Sequence, residues 1–337
     1  MQFFSHTHID FIGKRRFFYW VSAVVTVAGL IAAFARGVEF GIDFEGGTEA
    51  AFQFSKAVPL DQIRTAVDNA GFKGAELKSY GGDDKVLVRV KQEAAAVGTG
   101  EANKIGRTLQ EKIQSAFPGN TMTLLKVDNI GPKIGKEMRG KALFAVLVAM
   151  AAILLYITFR FEFLFGLGAV IALVHDVLVA FAFAVIFNGV FGLNLEVNMA
   201  MLAAFLTVVG FSINDTVIIF DRIRENRKLH RGENLMMLMN RSINETLPRT
   251  INTSLTVALV LVILLLFSGE VLNGFAFTML VGIITGTYSS IYIASAFVIS
   301  VLVKQGKLDP RAERDFAEHT QRIIEETRQR KAAAVAR

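Results

Sequence analysis

Six long apolar stretches divide this sequence, and they restrict its fold more than any other feature. The chain has 337 residues, 53% of them hydrophobic, and its charges are concentrated between the stretches. Because about 20 apolar residues in a helix cross the hydrocarbon layer of a bilayer, the sequence predicts six transmembrane helices. The first is longer than the core of a signal peptide and has aromatic residues at its start, which favours a permanent span. We place the spans at residues 17–35, 142–159, 163–187, 199–220, 251–267 and 275–303.

Basic residues indicate which side of the membrane each connection faces. The loop 221–250 and the tail 304–337 are rich in Lys and Arg, whereas the short connections 188–198 and 268–273 contain neither. The positive-inside rule therefore places the loop, the tail and the N-terminal segment 1–16 in the cytoplasm. The formal charge of +6 is then explained by membrane orientation, and we expect no nucleic-acid partner.

Residues 37–138 are too polar for the bilayer and long enough to form a domain on its outer side. Alternating hydrophobicity predicts strands in this segment, and apolar residues at every third or fourth position predict helices. Their order is β-α-β-β-α-β, the arrangement of a ferredoxin-like fold. That fold hosts many functions, and we expect a small binding or docking module. The predicted elements are 48–54, 60–70, 75–80, 85–90, 101–117 and 121–127, with a hairpin turn at 81–84.

One acidic residue stands inside the fourth span. Asp215 follows Asn214 in an otherwise apolar helix. Ionisable residues are costly in lipid and usually face the interior of a helical bundle. A desolvated carboxylate of this kind is suited to take up and release protons. The alternative is an interfacial aspartate that is solvated from the cytoplasmic side.

Two other spans carry ionisable groups. Arg249 begins the fifth span after Pro248, and Asn252, Thr253 and Thr256 follow it at helical spacing. This polar stripe is expected to face other helices, although an arginine at the interface could instead extend to lipid headgroups.

In the third span, His175 and Asp176 are adjacent near the middle. They fit either a proton relay or a structural hydrogen bond between spans. Neighbours on a helix point about 100° apart, so they need not contact each other.

Several chemistries are excluded by what the sequence lacks. It contains no cysteine, which removes disulfides and cysteine-ligated metal sites. It has no phosphate-binding G-x-x-x-x-G-K-[ST] signature and no catalytic constellation. We therefore expect neither an enzyme nor a bound cofactor or metal. An ion gradient is the remaining energy source, and either H⁺ or Na⁺ fits the buried charges.

Four segments together resemble the SecD/SecF family, within the RND superfamily, and the resemblance to its SecF members covers nearly the whole chain. The segments are GIDFEGGTE at 41–49, VVGFSINDTVIIFDRIREN at 208–226, LPRTINTSLT at 247–256 and GFAFTMLVGIITGTYSSIYIASAF at 274–297. The resemblance implies a polytopic α-helical protein of the bacterial inner membrane, with six helices forming one half of an RND bundle and one external ferredoxin-like domain.

The same resemblance implies partners and site residues. It implies a SecD partner with a similar six-helix unit beside the SecYEG channel, and by family likeness YajC and YidC. Such a complex uses the proton-motive force to draw unfolded polypeptide outward after SecA has inserted it. The family's proton-coupling residues fall on Asp215 and Arg249. Asp43, Gly46 and Gly47 belong to the signature after the first span, where either a hinge or a simple turn is expected.

Two other functions remain open at this point. One is an RND-type exporter of lipids or small molecules, although such exporters join two six-helix halves in one long chain. The other is a passive scaffold that only stabilises SecD.

Overall fold

The structure, a computed structural model, describes residues 7–79, 82–90, 99–190, 193–267 and 270–308, with 314–319 and a few single positions beyond them. Residues 1–6 and most of the tail after 308 lie outside the described residues, as does the beginning of the predicted turn at 81–84. Within the described residues, six helices are long and apolar enough to cross a membrane, as the sequence predicted.

A small sheet domain follows the first of these helices. After α1 (Arg15–Arg36), the chain forms α2, β1, α3, β2, β3, α4 and β4. These elements are Ile42–Glu45, Gly47–Phe54, Leu60–Asn69, Glu76–Ser79, Lys85–Val90, Thr99–Ala116 and Met122–Ile130. The strand order is β2-β3-β1-β4 with antiparallel neighbours, so the predicted ferredoxin-like arrangement is confirmed. Its core consists of side chains that the strands and both helices bury, including Phe52, Ile63, Val88, Leu109 and Ile113.

Five further helices complete the bundle. They are α5 (Pro132–Arg160), α6 (Phe163–Phe187), α7 (Met199–Leu229), α8 (Leu235–Phe267) and a last helix of three parts. Its parts are α9 (Glu270–Ser289), a π-helical turn (Ser290–Ser295) and α10 (Ala296–Lys304). Helices α6, α7 and α9 bury the most surface and form the centre, whereas α1, α5 and α8 lie at the periphery. The central helices position the candidate site.

The structure differs from the sequence prediction at the 221–250 segment, which is mostly helical. Helix α7 continues to Leu229 and α8 already begins at Leu235, so Arg249 lies well inside α8 and does not begin it. Proline in a helix removes a backbone hydrogen bond and usually interrupts the helix. Here Pro248 lies inside α8, because the preceding turns bury Met239, Ile243 and Leu247 in the main core and these contacts keep the segment helical.

Candidate functional site: buried polar groups in the helical bundle

Two glycines allow the central helices to approach closely. A Cβ atom at Gly282 would lie 2.2 Å from a Cγ of Val208, and one at Gly286 would lie 3.0 Å from the Cβ of Ser212. Small residues at four-residue spacing permit this kind of contact between membrane helices. The contact brings α9 against the face of α7 that carries the buried polar residues.

Asp176 is the centre of a hydrogen-bonded cluster that joins three helices. Its side chain is fully buried. Ser212 of α7 and Ser289 of α9 donate to its Oδ2 at 2.5 and 2.7 Å, and Nδ1 of His175 lies 3.0 Å from its Oδ1. The sequence left open whether His175 and Asp176 meet, and the structure places them in contact. These hydrogen bonds connect α6, α7 and α9, whereas Nε2 of His175 is buried without a hydrogen-bond partner among the described residues.

The cluster lies beside a break in regular helix that the sequence analysis missed. Ser289 is the last residue of α9, and the π-helical turn Ser290–Ser295 follows directly. Such turns are rare and often occur at functional sites. The consecutive serines 289 and 290 are the sequence signal that accompanies this break.

Asp215 is buried about one turn further along α7 than Ser212. Both of its carboxylate oxygens are buried and accept no hydrogen bond from the described residues. Ser254 and Thr287 are hydrogen-bonded to each other at 2.6 Å. These two hydroxyl groups and the charge of Arg249 lie near the carboxylate. A charged carboxylate without a hydrogen bond is costly in a low-dielectric interior, and uptake of a proton removes that cost.

Arg249 forms no hydrogen bond with Asp215, the other residue on which the resemblance places proton coupling. Among the described residues it forms no ion pair, and it is exposed on the surface of the bundle together with Asn252 and Thr256. The stripe therefore does not face the described helices of this chain, because α8 turns its opposite face inward, through Thr250 and Ser254. The expectation that the stripe faces other helices stays a prediction.

Asn214 also points away from the buried cluster. It is exposed, and it lies on one face of α7 with Ala203, Thr207 and Gly210, all of which are exposed. A Cβ atom at Gly210 would meet nothing within 4 Å. This face of small and polar residues, which we call the α7 outer face, has no covering helix within the described part of the chain.

Asp43, Gly46 and Gly47 lie where the sheet domain meets the bundle. Asp43 accepts a hydrogen bond at 2.8 Å from the backbone N–H of Met199, the first residue of α7. Gly46 and Gly47 have φ of 75° and 129°, a region that side chains other than glycine rarely adopt. A Cβ atom at Gly135 would lie 3.0 Å from the backbone nitrogen of Gly46. This turn is therefore closely packed against the start of α5.

A charged network connects the same regions, and sequence reasoning missed it. Arg89 of β3 binds Glu196, which immediately precedes α7, and both side chains are only 4% exposed. Arg89 also binds Glu49 at 2.9 Å, and Lys78 binds both Glu196 and Glu39. We call these five residues the junction network. It holds the sheet domain to the α6–α7 connection.

The pKa values in the junction network follow from burial and from the partners. Burial acts to lower the pKa of Lys78, but the hydrogen bonds that Lys78 donates to Glu196 and Glu39 outweigh it, and the pKa lies above its usual value. Burial acts to raise the pKa of Glu39, but Lys78 outweighs it, and the pKa is lowered. For Glu49 burial dominates over Arg89, so its pKa is raised.

Comparison with known proteins identifies the family. The model described as "Protein export membrane protein SecD/SecF, C-terminal" matches residues 109–304, and the "SecD/SecF GG Motif" model matches residues 31–58. The chain belongs to the SecD/SecF family. The second match contains Gly46 and Gly47, and the first contains Asp176, Asp215 and Arg249. Both groups of residues therefore lie in segments that define SecD/SecF proteins.

Relatives place the chain in the SecF branch of the SecD/SecF family. It is 38% identical to the protein translocase subunit SecF of Calditerrivibrio nitroreducens over 87% of this chain and 94% of that relative. It is 39% identical to the protein translocase subunit SecF of Rhodothermus marinus, over 89% of this chain and 96% of that relative. Since these relatives are named translocase subunits, the chain has a transport role.

Solved structures show the same fold. The crystal structure of SecDF from Thermus thermophilus, described as a translocon-associated membrane protein, has a TM-score of 0.76 and 35% identity over 88% of this chain. A SecDF structure in a super-membrane-facing form has a TM-score of 0.63 and 33% identity. The chain spans about two fifths of each SecDF chain (39% and 40%).

Proposed function

We propose that this SecF-type translocase subunit assembles with SecD and uses the proton-motive force to assist protein export through the SecYEG channel, after SecA has inserted the polypeptide. The proposal places it in the bacterial inner membrane with both termini in the cytoplasm, and YajC and YidC are further partners by family likeness. The observation that carries it is Asp215, which is buried in the bundle without a hydrogen bond from the described residues. Such a group responds to proton uptake more strongly than a solvated one.

The SecD contact is supported by the surface that the chain leaves uncovered. The α7 outer face carries small and polar residues, and Arg249 and Asn252 are exposed on α8. Polar side chains in the middle of a membrane are expected to face protein or water, not lipid. Small residues such as Gly210 let a second helix approach closely. We therefore expect a helix of SecD to cover this surface.

In this assembly Arg249 acts at the boundary between the two subunits. It influences Asp215 as a nearby charge without binding it. We expect protonation of Asp215 to weaken that attraction and to change the packing of α7 and α8. A bistable element that responds to a local change of charge is the requirement for a coupling device.

Helix α7 supports the transmission of such a change to the sheet domain. It carries Asp215 in its middle, and its first residue, Met199, is bound by Asp43. Glu196, just before α7, is bound by Arg89 of the sheet. A shift of α7 would therefore act directly on the junction network.

The main test compares Asp215→Asn with the unsubstituted chain in membrane vesicles that contain SecD and the channel. Export of a secretory precursor is measured with and without a proton gradient. We expect the gradient to stimulate export by the unsubstituted chain and not by the variant. Asp61→Asn, an exposed carboxylate of α3, is the matched control and should respond normally. If Asp215→Asn still responds to the gradient, the subunit acts as a passive scaffold or uses another residue.

A second test addresses the contact with SecD. Gly210→Leu adds bulk to the α7 outer face where the chain itself has open space. We expect it to prevent copurification of SecD while leaving the thermal stability of the isolated chain unchanged. Gly140→Leu is the matched control, since a Cβ atom there also meets nothing within 4 Å and the residue lies on α5. Equal recovery of SecD with both variants would move the contact to another face.

A further inference from the structure

A cavity of about 450 Å³ lies between the α5–α6 turn and the far end of α7. The turn contributes Arg160, Phe161 and Glu162. The last turns of α7 and Arg231, just after its end, form the other side. The residues that line the cavity include neither of the buried carboxylates, Asp176 and Asp215, nor any residue of the junction network. Neither the proposed coupling nor the proposed SecD contact uses it.

One wall of the cavity is strongly basic. Arg224, Arg227, Lys228 and Arg231 line it. The spacing of the first three, i, i+3 and i+4, places them on one face of α7, and Arg231 follows just after the end of that helix. Arg227 is paired with Glu162 at 3.0 Å. Among the described residues, the other three basic side chains on this wall form no ion pair.

Two further acidic side chains nearby, Asp221 and Glu225, are paired with other residues, and Glu225 binds Arg222 at 2.7 Å. Asp221 is paired with Arg160 at 2.9 Å. Glu162 and Asp221 are therefore each matched by one arginine. Three positive charges are left facing one cavity. Such a cavity attracts an anion, most strongly at low ionic strength.

The floor of the cavity is apolar. It is formed by Phe161, Phe165, Phe220 and Ile223, and the last three are buried. The rings of Phe165 and Phe220 meet edge to face with their centroids 5.0 Å apart. A soluble anion would use the basic wall and leave this floor unused.

Two phenylalanines on either side of the turn locate the cavity at the edge of the membrane. Phe159 and Phe163 are 85% and 67% exposed, and they flank the turn in helices that span the bilayer. The turn between them therefore lies at the level of the lipid headgroups. A ligand that enters here has its polar part beside α7 and its apolar part beside the phenylalanines.

We propose that this cavity binds an anionic phospholipid of the adjacent leaflet. Its phosphate group is held by the three uncompensated cations, Arg224, Lys228 and Arg231, and the beginning of its acyl chains lies on the phenylalanine floor. Basic pockets between membrane helices are suited to anionic headgroups. Arg is also able to bind a phosphate through two hydrogen bonds at once.

The test measures lipid binding by native mass spectrometry on the full-length chain in detergent. The probes are short-chain phosphatidylglycerol, phosphatidylcholine with the same acyl chains, and glycerol phosphate, which has the anionic group without the chains. We expect phosphatidylglycerol to bind best and to weaken as salt is added. Neutralising two of the cations with Arg224→Gln/Lys228→Gln should weaken its apparent affinity about 30-fold. Both side chains are exposed, so the fold should be retained.

A matched variant controls for the general loss of charge. Lys304→Gln/Lys307→Gln removes two exposed charges at the end of the last helix, away from the cavity, and should leave the affinity unchanged. Equal binding of the two lipids, or equal loss in the two double variants, overturns the proposal. Binding of glycerol phosphate as tight as that of phosphatidylglycerol would assign the cavity to a soluble anion. Displacement of the lipid by an acidic peptide at lower concentration would assign it to a protein segment.

Discussion

Replacing Arg89 with Met should loosen the sheet domain from the membrane bundle. Arg89 and Glu196 are each only 4% exposed, and Arg89 also donates to the backbone carbonyl of Phe40. Met keeps much of the length of the side chain and removes only the charge and the donors. After the change, Glu196 stays buried with Lys78 as its remaining partner.

The size of the effect follows from the burial of the pair. Removing one partner of a buried ion pair costs about 3–5 kcal/mol. Because Lys78 still binds Glu196, we take the lower end, about 3 kcal/mol. This corresponds to about a 150-fold shift toward opening of the junction. The double variant Arg89→Met/Glu196→Gln removes both charges. It should recover about 2 kcal/mol of the stability that Arg89→Met loses, since replacing a whole buried pair is often nearly neutral.

Hydrogen–deuterium exchange measures this opening directly. The backbone N–H of Gly41 is bonded to the carbonyl of Val197, and that of Val197 to the carbonyl of Glu39, each at 2.9 Å. Exchange of these two amides in lipid nanodiscs should be about 150-fold faster in Arg89→Met and should return most of the way in the double variant. Arg64→Met, at an exposed position of α3, is the control. The single variant Glu196→Gln is measured in the same way. If the free-energy costs of Arg89→Met and Glu196→Gln simply add in the double variant, Arg89 and Glu196 are not coupled and the reasoning fails.

The other predictions concern helix packing and pH. Gly282→Ala places a Cβ atom 2.2 Å from a side-chain carbon of Val208. It should lower the free energy of unfolding by about 1–3 kcal/mol, which is measured as a lower Tm. Gly210→Ala, at a position with open space around it, is the control and should leave Tm unchanged or raise it. Lys78 has a raised pKa, so its stabilisation is complete below its ordinary value of 10.5 and is lost as pH rises through the higher folded value. Amide exchange at the junction, corrected for intrinsic rates, should therefore accelerate only above about pH 10.5. Lys78→Gln should remove this pH-dependent acceleration. Acceleration that begins near neutral pH would contradict the raised pKa.

The ferredoxin-like domain illustrates what local patterns can predict. Period-two and period-3.6 hydrophobicity depends only on neighbours along the chain, and it predicted the order of strands and helices between the first two spans. The same local logic located the six apolar helices and singled out Asp215 and Asp176 as charges inside them. In both cases the informative residues lie within one element.

The contacts of those residues depended on the tertiary structure. Arg89 and Glu196 are separated by 107 positions, and nothing in either local sequence indicates that they meet. The sequence predicted a polar stripe at Arg249 but not its orientation within the chain: α8 buries Thr250 and Ser254 on its other side, because packing decides which side of an apolar helix is buried. The sequence alone determined the helices, the sheet domain and the presence of buried charge. Only the packing of distant segments decided which charges are paired, which are left without a partner, and which polar face stays uncovered within the described part of the chain.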